Sequence, residues 1–167
     1  MKRLAFLPVI LLFLFASCSY EPGVSEAFAK YRFKYGVTTV TVPGWVISLA
    51  AGFSDLKESE REMLESIDKV RVIAIDSDEL NLRTDLHKEY YDRINKNKKY
   101  EELLVVREDG ESVTIFGRMD ETVIKEMVIL VGGEDNAIIY LKGEIKPEII
   151  NENIDLSQPG KFLSLNF

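Results

Sequence analysis

The residues most able to do chemistry are a pair of carboxylates, one cysteine and one histidine: Asp76 and Asp78, Cys18, and His87. Asp76-Ser77-Asp78 follows the apolar run Val72-Ile73-Ala74-Ile75, at the carboxyl end of an expected strand, where open α/β sheets place their ligands. The triplet also suits a plainer role. Ser77 or Asp78 can cap a helix beginning near Leu80, with Asp78 and Glu79 favoured by the positive end of its dipole. Capping is the simpler account of these residues. His87 falls beside the Leu82-Leu86-Tyr90 stripe of that helix, so a flank position facing solvent or its boundary is expected, with no nucleophile at hand to activate. One histidine excludes multi-histidine zinc sites and leaves any serine triad a single possible base. Glycine-rich phosphate loops and aromatic-basic stripes do not occur, and no cofactor or metal site is expected.

Cys18 points to lipid attachment. Lys2 and Arg3 make a basic start, Leu4 to Phe15 is apolar, and Ala16-Ser17 supplies the small residues a signal peptidase needs. The apolar run is shorter than the roughly 20 residues of a bilayer span. These features predict a lipoprotein signal peptide over 1–17, acylation of Cys18, a lipidated tether over 18–23 and a single domain over 24–167. The membrane is then a partner through the acyl groups on Cys18, which exceed the two signals needed for stable anchoring. Export across the inner membrane and anchoring in the envelope follow, and Ser19 in place of Asp favours the outer membrane. With its one cysteine so used, the chain has no intramolecular disulfide and no thiol catalysis.

The whole chain has 167 residues and a net charge of −7, and losing Lys2 and Arg3 with the signal leaves it more acidic. That argues against nucleic acid and against electrostatic grip on anionic headgroups. Asn95-Lys96-Asn97-Lys98-Lys99 is the one basic cluster. It falls where a helix should end, where cations suit the dipole, and contact with headgroup phosphates is its second reading. The tail Phe162-Leu163-Ser164-Leu165-Asn166-Phe167 alternates like a closing barrel strand, but helices occupy too much of the chain for a barrel. It is expected to dock on the domain, or to add as a strand to a partner's sheet edge.

The elements that must position these residues alternate in period. Val24 to Tyr35 is read as a helix ended by Gly36, and β-branched Val37 to Val42 as a strand. Pro43 suits a helix start, and Trp45 to Ala51, apolar on nearly every side, predicts a short buried helix. Asp55 to Asp68 is an amphipathic helix with a possible Ser59/Glu62 capping box, Val70 to Ile75 a strand, and Leu80 to Asn97 one helix. From Tyr100 the pattern shortens: Glu102 to Val106, an Asp109-Gly110 turn, Val113 to Phe116, Met127 to Val131, a turn at 132–136, and Ala137 to Ile145. Pro147 to Asn151 begins a last helix. The expected fold is α/β (α+β), a single two-layer domain whose mixed sheet ends in an antiparallel meander, with helices mainly on one face.

The run Ser59 to Ile75, the stretch Tyr100 to Glu111, and the turn and strand from Gly133 to Ile145 resemble the envelope lipoproteins grouped as domain of unknown function 4252. The resemblance implies a small lipid-anchored α/β domain of Gram-negative bacteria and brings no catalytic residues, so Cys18 alone transfers. Asp76-Ser77-Asp78 is separately similar to the nucleophile motif of haloacid-dehalogenase phosphohydrolases. In that family one aspartate attacks phosphorus, the other handles the proton, and both hold magnesium. The downstream Gly-Asp pair of that family is missing. The sequence therefore favours a non-enzymatic binding, assembly or sensing module with an envelope protein partner. A magnesium-dependent phosphohydrolase using Asp76 and Asp78, and a carrier of a small apolar ligand, are the alternatives.

Overall fold

The computed structural model describes residues 23–108 and 110–148. Five helices and six strands follow in the order α1 (Val24–Tyr31), β1 (Val37–Pro43), α2 (Gly44–Phe53), α3 (Glu58–Glu65), β2 (Ile67–Ile75), α4 (Asp78–Asn81), α5 (Leu86–Asn95), β3 (Glu101–Glu108), β4 (Glu111–Asp120), β5 (Val123–Gly132) and β6 (Ala137–Ile145). The strands make one sheet in the order β1-β2-β6-β5-β4-β3. The expected closing meander is present, as β3 through β6.

The sheet is not mixed: every neighbouring pair is antiparallel. After β2, the chain crosses the sheet through α4 and α5 and enters at the far edge as β3, so β2 and β3 run the same way but are never neighbours. β6 then returns beside β2 in the opposite sense.

Nor do the helices keep to one face. Alternation along the strands sends Ile73, Ile75, Phe116, Val128, Leu130, Ile138 and Tyr140 to one side, where α1 and α5 cover them with Phe28, Tyr31, Leu86, Tyr90 and Ile94. The other side carries Ile67, Ile115, Ile124, Met127 and Ile145, with Ile47 of α2 and Leu64 of α3 packed against them. Strands apolar on both faces need cover on both, since each exposed apolar Å² forgoes about 25 cal/mol. The antiparallel α+β class stands, with two cores in place of one.

Local chemistry explains the boundaries. Gly36, with φ +75°, turns the chain from α1 into β1. Glu60, not Glu62, closes the start of α3 by accepting from the Lys57 N–H at 2.9 Å, which leaves Glu62 to pair with Lys146 at 2.6 Å. β2 begins three residues earlier than its β-branched run, and there Gly143 of β6 meets it so closely that a Cβ would lie 2.1 Å from the Ser66 carbonyl oxygen. On the outside of the first core, Glu89 accepts from Lys30 at 2.6 Å and from the Tyr31 hydroxyl at 2.9 Å, tying α1 to α5.

Two sequence expectations fail in the helices. The span from Leu80 to Asn97 is broken, because Asp85 caps a new helix by accepting from the Lys88 N–H at 2.8 Å, and Asn136 takes the Leu86 N–H at 2.7 Å. Leu82, counted in the apolar stripe, is left almost fully exposed. The helix around Trp45 is not buried: Ala51 is its sole buried residue. It is short and docks on the sheet through Ile47, so the rest of its apolar surface faces outward. The expected last helix lies, from residue 149 on, outside the described residues, as do the signal, Cys18, the tether to residue 22 and the tail from Phe162 to Phe167.

Leu86→Ala should lower stability to urea unfolding by about 2–5 kcal/mol, whereas Leu82→Ala should change it by less than about 0.5 kcal/mol. Equal effects of the two would contradict the break between α4 and α5.

Candidate functional site

The carboxylate triplet sits where the sequence places it, immediately after β2. Ser77 is the cap of α4, its hydroxyl accepting from the Leu80 N–H at 3.4 Å. Asp76 turns toward β1, where its carboxylate accepts from the Thr38 hydroxyl at 2.5 Å. Asp78 instead lines an open cleft of about 700 Å³ with Asn81, Leu82, Arg83, Thr84, Asp85, Gly110, Gly133 and Glu134. Asp76 is not among the lining residues, so the cleft is not shared by the two carboxylates. Among the described residues no three His, Cys, Asp or Glu side chains gather in an arrangement able to hold a metal ion. Its wall joins the charged Asp78, Arg83, Asp85 and Glu134 to apolar surface such as that of Leu82.

His87 is not at a solvent-facing flank. It is 7% exposed in the first turn of α5, with Nε2 2.8 Å from the Thr114 Oγ1 of β4 and its ring stacked on Tyr91 at 5.4 Å. The break after α4 resets the helical phase and turns His87 toward the sheet. Burial pushes its pKa below the usual histidine range, Asp85 opposes that shift and Arg107 adds to it. Glu126 is the one buried carboxylate among the described residues. It accepts from the Tyr100 hydroxyl and from Arg118, the latter at 2.7 Å, so its charge is met by two donors. These are internal polar contacts that tie α5, β3, β4 and β5 together.

The basic cluster does end a helix: Lys96 is the C-cap residue of α5 and lies 3.8 Å from Asp92. The structure adds a neighbour that the sequence did not reveal. Gly23, where the described chain begins, packs so closely on Ile94 of α5 that a Cβ would lie 2.9 Å from its side chain. The chain thus enters the domain against Arg93 and Ile94, in the last turn of α5.

The most unusual surface is elsewhere. On α2, Trp45, Leu49 and Phe53 are 71%, 53% and 85% exposed, and their spacing of four puts them along one side of the helix. α2 follows directly on the edge strand β1, whose central Val40 is also exposed. From Tyr35 to Ser54, twenty consecutive residues carry no Asp, Glu, Lys or Arg, in a chain that is 29% charged. The gap is visible in the sequence, where Val37 to Val42 predicts a strand and Trp45 to Ala51 a buried helix. The missed signal was the lack of any polar face on α2. Among the described residues no helix is long and apolar enough to cross a membrane.

Fold and surface together define an antiparallel α+β domain with two cores and one helix that leaves a row of apolar side chains exposed. The chain belongs to the family described as Domain of unknown function (DUF4252), whose model matches residues 31–153. No curated protein and no solved structure matches it.

A histidine whose folded pKa is depressed stabilises the fold above its unfolded value, near 6.5, and that stability is lost as pH falls through the folded value. The urea midpoint should therefore drop between pH 7 and 5.5, and the drop should be smaller in His87→Gln. An equal drop in both proteins would rule out His87 as its source.

Proposed function

We propose that this chain is a non-enzymatic binding or assembly module, held in the bacterial envelope by acyl groups on Cys18, that presents β1 and α2 to an envelope protein. The observation that carries this reading is the exposed row Trp45, Leu49 and Phe53 in a chain segment without charge. Contiguous exposed apolar groups are uncommon on monomers and mark contact sites, and buried aromatic anchors dominate the energy of such contacts. The predicted outer-membrane location belongs to the same proposal.

A catalytic reading has less to build on, since Ser77 caps a helix and Asp76 is engaged by Thr38 while Asp78 faces the cleft. Magnesium-dependent phosphatase activity that disappeared in a folded Asp76→Asn protein would restore it.

The test is cross-linking of the tagged full chain in living cells, followed by detergent extraction and mass spectrometry. Cys18→Ala should move the protein out of the membrane fraction. Trp45→Glu with Leu49→Lys should leave it in that fraction but reduce the recovered partner at least about tenfold, on the scale of a hot-spot loss. Undiminished recovery would show that β1 and α2 are not the binding surface.

A further inference from the structure

We infer that the occupant of this surface is a second copy of the same chain, joined through β1 to β1 in antiparallel pairing. The inference rests on the binding-surface reading above and names its partner.

The two edges of the sheet differ. β3 carries Glu101, Glu102, Arg107 and Glu108, and its register shifts between Glu102 and Leu104. Charges and a bulge are how natural sheets keep an edge from pairing. β1 has neither: Val-Thr-Thr-Val-Thr-Val-Pro pairs with β2 without a shift over all seven residues. Among the described residues one edge is guarded and the other is left open.

The direction of the free groups follows from one hydrogen bond. The Asp76 N–H donates to the Gly36 carbonyl at 2.9 Å, so Gly36 faces β2. Alternation then turns the N–H and C=O groups of Val37, Thr39 and Thr41 away from β2, with Pro43 next in line and lacking an N–H. A two-fold axis at Thr39 sets Val37 against Thr41 of the second copy and Thr39 against its own equivalent. This register satisfies every outward group of those three residues and asks nothing of Pro43. The contact is isologous and therefore closes as a dimer.

Charge restricts where a second copy can meet this one. Two molecules each carrying −7 repel, and like charges facing each other across paired strands are destabilising. The stretch from Tyr35 to Ser54 is where a copy can approach without meeting a charge in that segment. The exposed aromatics Phe33 and Tyr35 precede β1 and Trp45 follows it, so they flank the paired strands. Apolar groups on the flanks of the strand would thus be covered by the same contact.

The test uses the full chain in cells, with Thr39→Cys added and Cys18 retained. Paired residues at a hydrogen-bonded site lie about 5.5 Å apart between Cα atoms, within reach of a disulfide. Mild oxidation should give a species of twice the apparent mass of the reduced chain on a non-reducing gel. It should be at least tenfold stronger than from Val105→Cys on the β3 edge or from the native chain. Val37→Cys with Thr41→Cys in one chain should cross-link as well, and Val40→Lys added to Thr39→Cys should weaken the band. Cross-linking from Thr39→Cys no stronger than from Val105→Cys overturns the inference. The same holds if the thiol introduced by Thr39→Cys is shielded from a water-soluble maleimide without a dimer band, as a covering tail or bilayer would cause. If the band is absent but Trp45→Glu with Leu49→Lys still abolishes capture of a different envelope protein, the second copy is wrong and the binding surface stands; if neither effect occurs, both fall.

Discussion

The structure depends on a sheet whose inner strands are apolar on both faces. In β5 the run Met127-Val128-Ile129-Leu130-Val131 sends alternate residues to opposite sides, and β6 does the same with Ile138, Ile139, Tyr140 and Leu141. No single layer of helices can bury such strands. α1 and α5 close one side, α2 and α3 the other, and the order of elements follows from supplying both layers with short connections.

The same constraint accounts for what is left outside. α5 and α1 are amphipathic and bury large side chains, so their outer faces carry Lys30, Glu89, Arg93 and Glu26, which pair across the two helices. α2 has ten residues and no charge. It covers β1 and β2 with one side, and its other side offers water little beyond the Ser48 hydroxyl. The exposed row of Trp45, Leu49 and Phe53 is the consequence of a uniformly apolar helix placed in an outer layer.

The candidate chemical residues are explained by packing. Ser77 starts a helix, Asp76 steadies the junction with β1, and His87 joins α5 to Thr114 beneath it. Glu126 shows how such groups are tolerated: a buried carboxylate receives a phenol and a guanidinium. These contacts bind elements distant in sequence, which is the work of a framework more than of a reaction centre.

Much of this was legible in the residues themselves. β6 was marked end to end by Ala137 to Ile145, and the hairpin around Gly110 by flanking β-branched residues, because period-two patterning and turn chemistry are local. Ser77 as a cap, the meander and the family were legible for the same reason. Tertiary structure decided the rest. The register of β2 against β6 made the sheet wholly antiparallel, Asn136 and Asp85 broke one expected helix into two, and that break turned His87 inward. Whether the apolar helix after Pro43 lies in the core or on the surface was also settled by position in the layers. Periodicity states which residues want burial; the number of layers available decides which of them obtain it.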